Sequence, residues 1–213
     1  MKKTLITSFW SGIIVLFVYL IYSPILIFLP YSELKWSFTF IGLMIGGISS
    51  ILFLNGFRIL GKKYKSNLLV VMSYIGIIFF ILYLIFGLIM GFTSLVKNVS
   101  AQENFTTKIV ISSLDVENLE EFLTIGLKKF TIIIVIIYIL IMLIFGLWSL
   151  LFGIGLLKLK DKLEYAKTAG VLNIIAGLTY FIMIGFAVAI AAHIFELVIL
   201  YNASKKFEKQ YIN

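Results

Sequence analysis

Hydrophobic residues in this chain gather into five long stretches that contain no Asp, Glu, Lys or Arg. Each stretch is longer than 20 residues, and together they cover residues 4–32, 36–57, 66–96, 130–157 and 168–195. The hydrocarbon core of a bilayer is about 30 Å thick, which about 20 helical residues can cross. A segment in lipid must satisfy its own backbone polar groups, so each stretch is predicted to be a transmembrane helix.

The last apolar run can be interpreted in two ways. It continues past Glu196 and covers 36 residues from Ala166 to Tyr201, which is too long for one untilted span. One long helix would project from the bilayer, whereas a hairpin at Ile184 and Gly185 would give two short helices. Gly185 is the glycine near the midpoint, and a tight turn there is expected to need its tolerance of positive φ. The placement of the C-terminal lysines favours the hairpin.

The pattern therefore predicts an all-α fold, a polytopic transmembrane bundle of six helices, or five if the last run is one helix. We expect a single membrane domain over residues 1–213 with an outer loop at 93–129. Pro24 is expected to kink the first helix. The predicted helices cover about residues 7–29, 37–60, 68–92, 130–157, 166–183 and 186–203.

Charge placement predicts the orientation of the helices. With the N-terminus inside, the six-helix arrangement places thirteen of the eighteen Lys and Arg residues on the inner side. Six of the ten acidic residues fall on the outer side. Cytoplasmic segments are enriched in Lys and Arg, so both termini are predicted to be cytoplasmic in a cell membrane.

Composition narrows the chemistry. The chain is 62% apolar with a mean hydropathy of +1.11, and it contains no Cys and one His. Cys chemistry is excluded, and a histidine-based metal centre is not expected. The metalloprotease, nucleophile-elbow and phosphate-loop motifs are absent from the sequence. We therefore expect no enzyme activity, no cofactor and no nucleic-acid partner, with the net charge of +8 assigned to cytoplasmic helix ends.

Polar residues within the apolar runs form one candidate site. His193 and Glu196 are three positions apart and share one helix face. A hairpin turn at 184–185 would place Asn173 opposite Glu196, with Asn55 and Arg58 at a similar depth. Ionisable groups inside a span usually face the bundle interior or a water-filled cavity. The cluster is either a proton, ion or substrate path, or a structural set of satisfied polar groups.

Two further patterns concern glycines and sequons. Gly42 and Gly46 form a small-residue ridge, and Gly87 and Gly91 form another; such ridges favour close helix packing. Asn98 and Asn104 begin N-x-S/T sequons in the predicted outer loop and are candidate glycosylation sites.

Residues 56–64 (GFRILGKKY) and residues 167–175 (KTAGVLNII) with Gly185 carry a family resemblance. These segments resemble small multi-pass membrane protein families of unknown function, chiefly archaeal. The resemblance implies several transmembrane helices and no assigned activity, so no functional residue is carried over.

The function expected from the sequence is that of a non-enzymatic scaffold or accessory subunit in a membrane complex. Its expected partners are the lipid bilayer and other membrane subunits. The alternative is a small ion or solute transporter or channel that uses the His193–Glu196 face.

Overall fold

A computed structural model describes residues 1–28, 33–103, 116–182 and 184–209 of the chain. The structure is all-helical, without strands in these ranges, and its six helices, of which the first has three segments, confirm the predicted fold class. The helical elements are α1 (Lys2–Phe17), a π-helix (Val18–Tyr22), α2 (Ser23–Phe28), α3 (Glu33–Lys63), α4 (Asn67–Glu103), α5 (Val116–Leu157), α6 (Ala166–Thr179), a 3₁₀-helix (Tyr180–Ile182) and α7 (Ile184–Lys209).

The first helix is continuous but changes its winding before Pro24. The π-helix Val18–Tyr22 joins α1 to α2, and Pro24 is the second residue of α2. Proline has no backbone N–H and its ring crowds the preceding turn, so an extra residue in that turn relieves the clash. The structure thus places a π-helical turn directly before Pro24, where the kink was expected.

Helices α4 and α5 extend into the segment that was predicted to be the outer loop 93–129. Helix α4 has 37 residues and α5 has 42, so they are about 55 and 63 Å long at 1.5 Å per residue. Much of the predicted outer loop is therefore helical, because the charged residues that end an apolar run are still good helix formers. Asn98 lies within α4, whereas Asn104 lies outside the described residues.

Two helices, rather than one, occupy the last apolar run. Helix α6 leads into the 3₁₀-helix Tyr180–Ile182, and α7 begins at Ile184 and packs back against α6. Gly185, predicted to occupy a positive-φ turn, instead lies in the first turn of α7, and no glycine in the described ranges has positive φ. A Cβ at Gly185 would lie 2.5 Å from the Tyr180 nitrogen, so its small size permits the close return of the chain.

Five helices of the described chain are long and apolar enough to cross a membrane. They comprise Lys2–Leu26, Ser37–Lys63, Asn67–Ile89, Val135–Leu157 and Ile184–Phe207. Helix α6 is the exception because it has only 14 residues.

Neighbouring helices run antiparallel and close into a ring in the order α1, α3, α4, α5, α6 and α7. The most deeply buried side chains of this ring gather towards one end. They include Leu5, Phe57, Leu60, Leu69, Phe152, Leu156 and Leu200.

The basic turns of the sequence meet at this same end, which we call the basic end. Lys162 donates a hydrogen bond to the Tyr64 carbonyl over 2.9 Å, and Lys63 lies over the ring of Phe207. Ser66 donates to the Gly155 carbonyl over 3.0 Å, which ties the α3–α4 turn to α5. The fold thus brings the turns 64–66 and 158–165 together with the C-terminal part of α7.

Candidate functional site

Two polar residues of α7, the partly buried His193 and the buried Glu196, contact neighbouring helices of the ring. His193 Nε2 lies 3.1 Å from the carbonyl oxygen of Gly12 on α1. His193 Nδ1 lies 3.4 Å from one carboxylate oxygen of Glu196. The His193 ring also packs against Phe53 of α3 at 4.4 Å between centroids. Glu196 is only 5% exposed, so its carboxyl group depends on protein partners for hydrogen bonds.

The second oxygen of Glu196 is bound by α6. Asn173 Nδ2 donates to this oxygen over 2.6 Å and to the Ala169 carbonyl over 2.9 Å. Ser149 on α5 donates to the Asn173 carbonyl over 2.9 Å and lies 3.3 Å from Oδ1 of Asn173. We call Gly12, Ser149, Asn173, His193 and Glu196 the polar network; it joins helices α1, α5, α6 and α7.

The contact with Gly12 fixes the role of one ring nitrogen of His193. A carbonyl oxygen only accepts, so His193 Nε2 donates to the Gly12 carbonyl. The other ring nitrogen, Nδ1, faces a Glu196 oxygen at 3.4 Å. The imidazole and the carboxyl group thus lie side by side, and each reduces the cost of burying the other.

The polar network runs across the bundle and not along its axis. Ser149 lies eight residues before the end of α5, and Asn173 lies seven residues after the start of α6. At 1.5 Å per residue both lie about 10–12 Å from the basic end. Glu196 binds Asn173, and Gly12 binds His193, which lies one turn from Glu196. The network therefore occupies one layer of the bundle.

Glycines let α5 and α6 approach closely on both sides of this layer. A Cβ added to Gly153 would lie 2.6 Å from the Gly170 carbonyl, and one on Gly170 would lie 2.8 Å from the Gly153 carbonyl. Gly146 and Gly177 form the same reciprocal arrangement farther from the basic end. The backbones therefore touch at two levels, and this contact holds Ser149 against Asn173.

Two residues expected in the cluster lie elsewhere. Arg58 donates to the Tyr74 hydroxyl of α4 over 3.3 Å, with its guanidinium 5.4 Å from the ring centroid. Asn55 is half-buried, and none of its described contacts is a hydrogen bond to the polar network. Both residues share the depth predicted for them, but depth along a helix does not determine the direction of a side chain around it.

The two glycine ridges predicted from the sequence face neighbours within the chain. A Cβ at Gly42 would overlap the ring of Tyr22, and one at Gly46 would meet Val18 at 3.2 Å. Gly87 and Gly91 lie against Leu43 and Phe40 of α3, respectively. The ridges therefore bring α3 close to the first helix and to α4.

A small cleft lies beside the π-helix, away from the polar network. Its volume is about 160 Å³. Gly42 and Gly46 form part of its floor, and three tyrosines, Tyr19, Tyr22 and Tyr83, line it. The Tyr22 hydroxyl already donates to the Phe38 carbonyl. The cleft is therefore mainly an apolar recess between the first helix, α3 and α4.

Sequence reasoning missed two members of the network, the Gly12 carbonyl and Ser149, and for Ser149 the sequence carries a signal. Gly146, Ser149 and Gly153 are spaced three and four apart on one face of α5, and Gly170, Asn173 and Gly177 repeat this spacing on α6. Each face places a polar residue between two glycines. This matching pattern is the signal that could have found the contact.

No family model, curated protein or solved structure matches the chain. Among the residues that the structure describes, no group of three or more His, Cys, Asp or Glu side chains is placed to hold a metal ion.

Proposed function

We propose that this chain is a non-enzymatic integral membrane protein that acts as a scaffold or accessory subunit of a membrane complex. The observation that carries the proposal is the internal pairing of the polar network. Both Glu196 oxygens, both Asn173 amide protons and both His193 nitrogens have partners within the chain. A substrate or ion would have to displace these bonds, so the network is better suited to fixing helices than to binding a ligand.

The long helices α4 and α5 support a role in binding partner proteins. Their apolar spans end at Ile89 and Val135, yet the helices continue to Glu103 and from Val116. At 1.5 Å per residue the extensions are about 20 and 28 Å long. Helices that continue beyond the bilayer offer contact surfaces that a compact loop would not provide.

The proposed placement is a cell membrane with both termini in the cytoplasm. Support comes from the basic end, where the N-terminal segment, the turns near Lys62 and Lys162, and the C-terminal part of α7 come together. A basic end of this kind is typical of the cytoplasmic side. In this Cys-free chain, single cysteines at positions 62 and 160 should be labelled only from the cytoplasmic side. Labelling from the outside alone would invert the proposed orientation.

Native purification tests the proposed role. We expect the full chain, extracted in mild detergent, to retain one or more membrane proteins that mass spectrometry detects at a fixed ratio. A variant in which residues 93–129 are replaced by a short Gly/Ser linker should keep its thermal stability and lose these partners. A monomer that transports a solute or ion in vesicles would contradict the proposal.

The alternative function, a small transporter or channel on the His193–Glu196 face, has one observation in its favour. His193 Nδ1 lies 3.4 Å from Glu196 Oε2, and an imidazole beside a carboxyl group is a pairing that a proton relay uses. A relay across the membrane also needs groups along the bundle axis, whereas the polar network lies in one layer. The accessory role is therefore the better supported of the two.

A further inference from the structure

Arg58 is a charged side chain with unused hydrogen-bonding capacity. Its Nε is buried without an acceptor, and it is the only such side-chain atom among the described residues. Within the part of the chain that the structure describes, its guanidinium makes one hydrogen bond, the long contact to the Tyr74 hydroxyl. A guanidinium has five N–H donors and stays charged, so Arg58 still needs acceptor atoms.

A second cation lies beside the same tyrosine. Lys62 is one helical turn beyond Arg58 on α3, and its ammonium lies 5.9 Å from the centroid of the Tyr74 ring. Among the described side chains, no carboxylate forms an ion pair with either residue. Two like charges without a counter-charge repel each other, so this position favours an anion.

The depth of the pair matches the headgroup boundary of a bilayer. Arg58 lies five residues before the end of α3 at Lys63, which is about 7.5 Å from the basic end. Lys62 is exposed there, and Tyr74 is 39% exposed on α4. A phosphate at this level would meet both cations and the phenolic proton of Tyr74, whose oxygen already accepts from Arg58.

An apolar stripe continues from this point along α4. Ile78, Ile81 and Ile85 follow Tyr74 at helical spacing, and all three are exposed. A free phosphate would gain nothing from these side chains, whereas the acyl chain of a lipid would pack along them. The charges and the stripe together fit an amphipathic ligand.

We infer that Arg58, Lys62 and Tyr74 form a binding site for the phosphate group of an anionic phospholipid in the leaflet at the basic end. The inference rests on the proposed membrane placement and does not depend on partner proteins. The lipid phosphate accepts hydrogen bonds from Arg58 and Tyr74 and neutralises Lys62. Its acyl chain lies along the exposed isoleucines of α4.

The test measures lipid retained by the purified full chain. The protein in zwitterionic detergent is titrated with phosphatidylglycerol, phosphatidylcholine or inorganic phosphate, and bound lipid is counted by native mass spectrometry. We expect phosphatidylglycerol to bind at least about tenfold more tightly than phosphatidylcholine. Inorganic phosphate alone should leave the thermal stability of the protein unchanged. Equal binding of the two lipids, or stabilisation by inorganic phosphate alone, would overturn the lipid site.

Matched variants separate this site from general surface charge. Arg58→Gln should weaken phosphatidylglycerol binding about tenfold, and Tyr74→Phe should weaken it several-fold without a change in charge. Lys160→Gln removes a charge from an exposed residue at the same end and should change binding less than about twofold. Equal losses in Arg58→Gln and Lys160→Gln would overturn the inference. If Arg58→Gln does not fold, unchanged binding in Tyr74→Phe would overturn it instead. If the purified wild-type chain retains no partner protein but still binds phosphatidylglycerol, that result counts against the accessory role alone.

Discussion

The basic half of the bundle and its opposite half are held together by different means. Near the basic end, Phe152 and Leu156 of α5 are 1% and 0% exposed and belong to the buried core that α5 shares with other helices. Farther along the same helix, residues 135–141 are exposed without interruption. One helix therefore passes from a packed core into a region where lipid or a partner must cover all of its sides. The fold is stabilised by protein contacts at one end and depends on its surroundings at the other.

The largest expected difference between the halves comes from truncating side chains of α5. Phe152→Ala should lower the free energy of unfolding in mixed micelles by about 3–5 kcal/mol, because the ring is buried against Phe57 and Trp148. Ile137→Ala should change it by less than about 0.5 kcal/mol, since that side chain is 50% exposed. Similar losses at the two positions would show that the halves do not differ.

The polar network should show the next largest effect. Glu196→Leu removes the acceptor of one Asn173 N–H and the partner of His193 Nδ1, and a buried group that is left unsatisfied costs about 1–3 kcal/mol. Glu196→Gln keeps an oxygen for Asn173 and supplies an N–H to His193, so its free energy of unfolding should stay within about 1 kcal/mol of the wild-type value. Equal unfolding free energies for the wild type, Glu196→Leu and Glu196→Gln would show that the network does not stabilise the fold.

A third comparison uses two glycines with different neighbours. Gly153→Ala should destabilise the bundle by about 1–3 kcal/mol, because the new Cβ would press on the Gly170 carbonyl, which is backbone and cannot rotate away. At Gly46 the nearest atom is a Val18 methyl group at 3.2 Å, so Gly46→Ala should be near neutral. Thermal unfolding in detergent measures both variants, and a larger loss at Gly46 would contradict the assignment of the tightest contact to α5 and α6.

The smallest effect is expected for a single hydrogen bond. Trp148 donates from Nε1 to the Met72 carbonyl over 3.1 Å, and its ring stacks on Phe152. Trp148→Phe keeps an aromatic ring and removes the donor, which should cost about 0.5–1.5 kcal/mol in unfolding free energy. A loss as large as that of Phe152→Ala would mean that the ring shape, and not the hydrogen bond, sets the contribution of Trp148.

Much of the architecture can be predicted from the sequence, because a bilayer restricts the length and composition of the segments that cross it. Uninterrupted apolar runs predict the helices, and lysine placement predicts the hairpin of α6 and α7. Counting residues from that turn also predicts that Asn173 lies opposite Glu196, where the structure places it. These features follow from length and charge along the chain, and one sequence displays both.

Contacts between helices that are distant in sequence were harder to predict. Tyr74 as the partner of Arg58, and Ser149 as the partner of Asn173, depend on how each helix is rotated about its axis. That rotation is set by the fit of many side chains, which no short motif records. The turn at 180–182 is a further case, because a 3₁₀-helix and a small Gly185 replaced the expected positive-φ glycine.

The central claim is that the polar network holds four helices together and does not conduct protons. Proton flux into vesicles that contain the purified wild-type chain or Glu196→Gln tests this claim most directly. Our account predicts that both proteins give the flux of protein-free vesicles and have similar thermal stability. A proton flux through the wild type that Glu196→Gln abolishes would contradict it and would establish the His193–Glu196 pair as part of a transport path.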